Sequence, residues 1–262
     1  MATCKHCGKP LILSGGKCIY CGISPYDIPK KEYPKLSIKN TIDIVICVDC
    51  SWPMAPVLDS VKDNIVHLLE DINEYNKDAK LVADWRARII GYRNFEEDNE
   101  YLLNDNPFVS TIEEVKTQIA GIVCKGYSEN SPKSSSLDAL WYAIETSDWR
   151  YKNTHNEEEE WIDNRNGNHE YVVLFTASLP LPVNIKTIAD LHGADSKLLN
   201  LMQTIAIDHI ILTLFGPDNP MFKEMREVPR SEINLFKNPI EFYYHKRLDF
   251  SYIINSFSAS IS

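Results

Sequence analysis

Ile42-Asp43-Ile44-Val45-Ile46-Cys47-Val48-Asp49 is the stretch on which the fold turns. Its β-branched, nearly continuous apolar run suits a strand covered on both faces, which is the condition of a parallel sheet. Beyond it, Val57, Leu58, Val61, Ile65, Leu68, Leu69 and Ile72 recur at helical spacing, so a helix follows and closes near Asn76. The alternation then repeats. Residues 81–92 predict a second strand, whose interspersed charges imply one wetter face. Ser110-Thr111 with Glu113 and Glu114 is a capping-box signature that opens a helix running to Val123. Leu137, Leu140, Trp141 and Ile144 mark another helix, and residues 171–175 another short apolar strand. A helix near 195–204, a strand over 207–215 and an amphipathic helix over 250–261 complete the series. Strands alternating with helices predict an α/β fold: a Rossmann-like three-layer sandwich, mainly parallel, with helices on both faces and functional sites at the carboxyl ends of the strands.

The first forty residues differ in kind. Cys4-Lys-His-Cys7-Gly8 and Cys18-Ile-Tyr-Cys21-Gly22 form two CxxC pairs ten residues apart, each followed by glycine. A CxxC turn aims two thiolates at one point, and the glycine lets the backbone N–H groups approach the sulfurs. Two such turns supply the tetrahedral S4 set that zinc prefers; a redox dithiol or an iron–sulfur site is the competing chemistry. With four cysteine ligands there is no open position for water, so the zinc is expected to be structural. Leu11, Ile12, Leu13 and Ile19 are too few to form a core, so metal binding must supply about 10 kcal/mol or more of the folding free energy. His6 reads as a bystander. The arrangement resembles a zinc ribbon over residues 4–22. Pro25, Pro29 and Pro34 then stiffen a lysine-bearing linker. The expected division is residues 1–36, ribbon and linker, and residues 37–262, the α/β domain.

Charge follows that division. The chain carries −10 over 262 residues, yet residues 1–40 hold seven lysines against Asp27 and Glu32, a formal +5 that leaves −15 beyond them. Phosphate-backbone binding by the whole chain is therefore disfavoured. Nucleic-acid binding through the basic ribbon is the alternative, weakened because zinc and four thiolates reduce +5 to about +3. No apolar run nears the roughly 18 residues that span a bilayer, and the first ten residues lack a leader pattern, so cytoplasm and no membrane partner are expected. No GxxxxGK, GxSxG or HExxH occurs, so catalysis and a small-molecule substrate are not expected. Cys47, Cys50 and Cys124 read as small core residues. The acidic, Asn-rich run 151–169 reads as a surface loop at the sheet's other end.

Asp49-Cys50-Ser51-Trp52-Pro53-Met54 resembles the DxSxS motif of von Willebrand factor A domains. Gly91-Tyr92-Arg93-Asn94-Phe95-Glu96-Glu97-Asp98, Pro107-Phe108, residues 126–132 and Leu137-Asp138-Ala139-Leu140 are similar to a series found in one intracellular branch of that family. Val172-Val173-Leu174-Phe175-Thr176-Ala177 resembles the strand that in the family ends in Thr-Asp. The resemblance spans residues 38–262. It implies a metal-ion-dependent adhesion site in which hard oxygen ligands hold Mg²⁺ and leave a position for a partner's carboxylate.

Carried over by position, Asp49 and Ser51 are kept and Ser134 stands for the family's threonine, whereas Pro53 replaces the second serine and Ala177 the second aspartate. That degenerate set implies Mg²⁺ affinity of millimolar or weaker, with a working Mg²⁺-dependent adhesion site as the alternative. Asp49 and Ser51 equally suit the start of a helix with Pro53 in its first turn, and residues 134–136 equally suit a cap on the next helix. Trp52 is the candidate partner anchor, with packing against Met54 as the alternative. The resemblance thus implies a non-catalytic scaffold that binds another protein, and suggests a bacterial stress or defence setting. Replacing Cys4 and Cys7 by Ser is expected to release one zinc per chain and to unfold residues 1–36 alone, as elemental analysis and circular dichroism would show.

Overall fold

A computed structural model describes residues 13–14, 17–18, 20, 40–79, 82–95, 104–124, 133–150, 168–184, 197–238 and 248–259. The chain divides into two compact units, Met1–Ser37 and Ile38–Ser262. In the first, β1 (Leu13–Ser14) pairs antiparallel with β2 (Lys17–Cys18), setting Leu13 opposite Cys18. Gly15-Gly16, the kind of dipeptide that two-residue hairpins favour, separates them in sequence. Cys4, Cys7, Cys21, His6 and the proline-bearing linker lie outside the described residues.

The second unit is built on a six-stranded sheet. Its strands are β3 (Asn40–Asp49), β4 (Val82–Tyr92), β5 (Asn104–Asp105), β7 (Asn168–Phe175), β9 (Ile211–Pro217) and β10 (Ser231–Phe236). They lie in the order β10-β9-β7-β3-β4-β5, every neighbouring pair parallel except β4 with β5. The chain steps outward from β3 to β5, returns to the other side of β3 at β7, and steps outward again to β10. The strand order therefore reverses between β3 and β7, where loops diverge and leave a crevice. A two-residue parallel pair, β6 (Lys133–Ser134) with β8 (Leu179–Pro180), lies apart from the main sheet.

Period-two alternation divides the strand residues between two cores. Ile42, Ile44, Ile46 and Val48 face a core completed by α1 (Leu58–Ala79), α2 (Ile112–Ala120) and α6 (Ser251–Ala259). Val45 and Cys47 face the other, closed by α3 (Ser136–Thr146), α4 (Lys197–Ile207) and α5 (Pro220–Glu224). Each fully buried Ile, Leu or Phe contributes about 1.5–3 kcal/mol relative to exposure. Thr111 caps α2 as its capping box requires, accepting from the Glu114 N–H at 3.2 Å and donating to Glu114 Oε2 at 2.7 Å. This is the Rossmann-like α/β sandwich expected from the sequence.

Five local expectations change. The charges in β4 do not mark a wetter face, because Arg86 and Arg88 point into the side covered by α3. Asp43 on β3 pairs laterally with Arg86 and accepts from its Nε and Nη2, each at 2.8 Å, and from Arg150 Nε at 2.7 Å and Arg150 N–H at 2.9 Å. The Arg86 guanidinium also lies 4.3 Å from the Phe108 ring centroid, a cation–π contact. Helix α1 runs beyond Asn76 to Ala79, and α2 stops at Ala120, short of Val123. Residues 207–210 are not strand: Ile207 ends α4, and the turn takes His209 to φ 57° before β9 begins. The edge strands β5 and β10 were not anticipated. The acidic run is outside the described residues up to residue 167; Asn168 and His169 begin β7.

Asp43 is buried between two arginines, so removing it strips Arg86 of this carboxylate and leaves Arg150 with its exposed pairing to Asp84. Asp43→Ala is expected to cost about 3–5 kcal/mol, measured by urea denaturation.

Candidate functional site

Strand β3 ends at Asp49, and its register against β7 sets Val48 beside Phe175. The residues that follow each strand, Cys50-Ser51 and Thr176-Ala177-Ser178, therefore meet at the reversal of strand order. Asp49 is fully buried. Its Oδ1 accepts the Ser51 N–H at 2.9 Å and its Oδ2 accepts the Thr176 hydroxyl at 2.7 Å. Ser51 Oγ and Ser178 Oγ lie 2.6 Å apart, and the Ser178 N–H donates to Thr176 Oγ1 at 3.0 Å. The two loops are thus joined by side chains as well as by strand pairing.

Ser134 belongs to a second hydroxyl group beside the first. Its Oγ is 2.7 Å from Ser136 Oγ, which accepts from the Tyr92 phenol at 3.1 Å. Tyr92 is the lateral neighbour of Asp49. Burial, with the Asp49 charge beside it, holds its phenol well above the usual range, so the ring keeps its proton and donates. The structure thus brings Asp49 and Ser51 together, and sets Ser134 one step away across Tyr92 and Ser136. The helix-cap alternative does not describe residues 134–136: Ser135 is the N-cap of α3 but its hydroxyl accepts from the Phe95 N–H at 3.0 Å. Nor does Pro53 open α1; it lies in a separate 3-10 turn, Trp52–Met54.

These residues do not suit Mg²⁺. One carboxylate is present, and both of its oxygens already accept hydrogen bonds from the chain. Pro53 offers no hydroxyl, and Ala177 packs against the α1 core. Among the described residues there is no cluster of three His, Cys, Asp or Glu side chains placed to hold a metal. For zinc, Cys18 is the described member of the candidate set, at the end of β2.

Near the buried hydroxyls three apolar residues are exposed, with exposed Lys133 paired opposite one of them, Leu179. Trp52 is 50% exposed, Leu179 37% and Val123 43%. Met54 beneath Trp52 in the turn is wholly buried. Leu179 follows Ser178, whose hydroxyl meets that of Ser51, and Val123 precedes Cys124, which packs on the core that includes Cys50. Sequence reading found Asp49, Ser51, Ser134 and Trp52 but missed Thr176, Ser178, Ser136 and Tyr92. The available signal was spacing: Thr176 and Ser178 repeat, after β7, the polar i, i+2 pattern of Asp49 and Ser51 after β3.

A doubly wound sheet with a polar cluster at its switch point defines the class. No protein-family model and no curated protein matches the chain. Among solved structures it resembles the proximal thread matrix protein 1 from the mussel byssus, at 11% identity and a TM-score of 0.47, over 84% of this chain and 46% of that one. The chain thus spans about half the length of that protein.

The three cysteines of the large unit are unreactive by environment. Burial pushes the Cys47 and Cys124 thiols up to about 12 and raises Cys50 further. Thiolate is the nucleophile, and almost none exists at neutral pH at these positions. Native protein at pH 8 is expected to leave Cys47, Cys50 and Cys124 unalkylated by iodoacetamide, with all three labelled in denaturant, as read by peptide mass spectrometry.

Proposed function

We propose that residues 37–262 form a von Willebrand factor A-like scaffold that binds another protein through the loops at the carboxyl ends of β3 and β7, with Trp52 as the anchor. Residues 1–36 hold one structural zinc through Cys4, Cys7, Cys18 and Cys21, and neither unit is catalytic. Trp52 carries this reading. A half-exposed indole is costly to leave in water, and here it stands on a turn pinned by the buried Met54 and by the Asp49–Ser51 bond beneath it. A rigid aromatic on a fixed turn loses little conformational entropy when a partner covers it, which is why Trp is enriched at interface hot spots. Leu179 and Val123 are further exposed apolar residues on the loops at this end of the sheet.

The hydroxyl cluster favours binding over chemistry. Its serines and threonine are buried, and the hydrogen bonds described for them run to other hydroxyls, to Tyr92 and to the Asp49 carboxylate. Among the described residues no helix is long and apolar enough to cross a membrane. Full-length protein bearing Trp52→Ala is expected to retain its melting temperature and to lose about 10-fold or more of its affinity for a captured partner. Quantitative affinity purification from native cells, wild type against variant, checks this; equal recovery by both would remove Trp52 from the interface.

A further inference from the structure

We infer that the crevice at the strand-order reversal is held shut by a hydroxyl clamp in place of a cation, so that its rim recognises a partner without a bridging metal. The inference rests on the reading of this rim as a protein-binding surface. A metal-bridged site needs several oxygen donors converging on one open point, and it needs the partner to complete the coordination shell with a carboxylate. The first condition is not met. Asp49 Oδ2 takes the Thr176 hydroxyl at 2.7 Å, Oδ1 takes the Ser51 N–H at 2.9 Å, and the Ser51 and Ser178 hydroxyls meet at 2.6 Å.

The Asp49–Thr176 and Ser51–Ser178 bonds run directly between the end of β3 and the loop after β7, the same span a cation would bridge. The donors come from the chain itself, and the groups are almost wholly buried, so nothing need enter to complete them. Position 177, where a second carboxylate would enlarge the cation's shell, carries a methyl group turned toward the α1 core.

The clamp also dictates what the partner presents. The described hydrogen bonds of the cluster hold no cation that would receive an acidic side chain. The rim offers Trp52, Leu179 and Val123 instead, so the partner's anchoring residue is apolar. Recognition moves from the bottom of the crevice to its lip.

Calorimetric titration of zinc-loaded, full-length protein with Mg²⁺ and with Mn²⁺ tests this, using Asp49→Asn as the reference. The expected result is no saturable heat in the wild type beyond that of the variant; a saturable isotherm in the wild type that Asp49→Asn abolishes would overturn the clamp. Thermal melts give the second arm. Thr176→Val is expected to lower the melting temperature by about 3 °C or more, while Thr176→Ser, which keeps the hydroxyl, stays within about 1 °C. If the valine variant does not fold, Ser178→Ala cuts only the Ser51 link and is expected to lose about 2 °C. Melting unchanged in both the Thr176→Val and Ser178→Ala proteins refutes the clamp. Failure here is separable from failure of the binding reading: a metal isotherm sinks the clamp whatever Trp52 does, and unaltered capture by Trp52→Ala sinks the anchor while a silent titration leaves the clamp standing.

Discussion

A carboxylate buried at the end of a central parallel strand must be neutralised or supplied with donors, or the strand cannot end there at the cost of only a few kcal/mol. Asp49 is that carboxylate, and the rest of the rim follows from satisfying it. The Thr176 hydroxyl fixes the loop after β7 against it, and the Ser51 N–H turns the chain sharply after β3. That turn delivers Met54 inward and Trp52 outward. The surface proposed to meet a partner is thus a consequence of how one charge is housed.

Strand β3 solves the same problem twice by different chemistry. Asp43 and Asp49 lie six residues apart, so the pleat sets them on one face, at opposite ends of the strand. At the amino end the answer is ionic: Arg86 from the next strand and Arg150 from beyond α3 surround Asp43. At the carboxyl end it is neutral: hydroxyl, amide and phenol groups surround Asp49. The ionic end ties β3, β4 and the segment after α3 together, whereas the neutral end ties β3 to the loop after β7. The ion-paired end and the end proposed for recognition thereby lie at opposite ends of one element.

How much of this could be read from residues depends on the range over which the cause acts. The buried run at 42–48, the helical spacing of Val57 to Ile72 and the capping box at Thr111 are local patterns, and each produced the element it predicts. The charges of β4 misled because their partners are remote; Asp43 is 43 residues from Arg86 in sequence. Asp49 and Ser51 stood out as a motif, but the donor that completes Asp49 comes from Thr176, a distance of 127 residues. Ile207 is apolar and adjoins a strand, yet at 73% exposure it belongs to the end of α4. Strand β10 was hidden by its own composition: Ser231-Glu232-Ile233-Asn234-Leu235-Phe236 alternates as an edge strand should, but its polar half resembles a loop.

That composition has an effect on how molecules meet in crowded solution. Among the described residues, the sheet's outermost strand at one side is the two-residue β5, too short a template for a foreign strand, and at the other β10, which carries Glu232 and Asn234 among its apolar residues. Lone sheet margins invite strand addition between copies, and brevity or polar interruption is what deters it. The two flanks thus act as gatekeepers against fibrillar stacking, leaving the indole-bearing crest free to be sticky without making the whole molecule so.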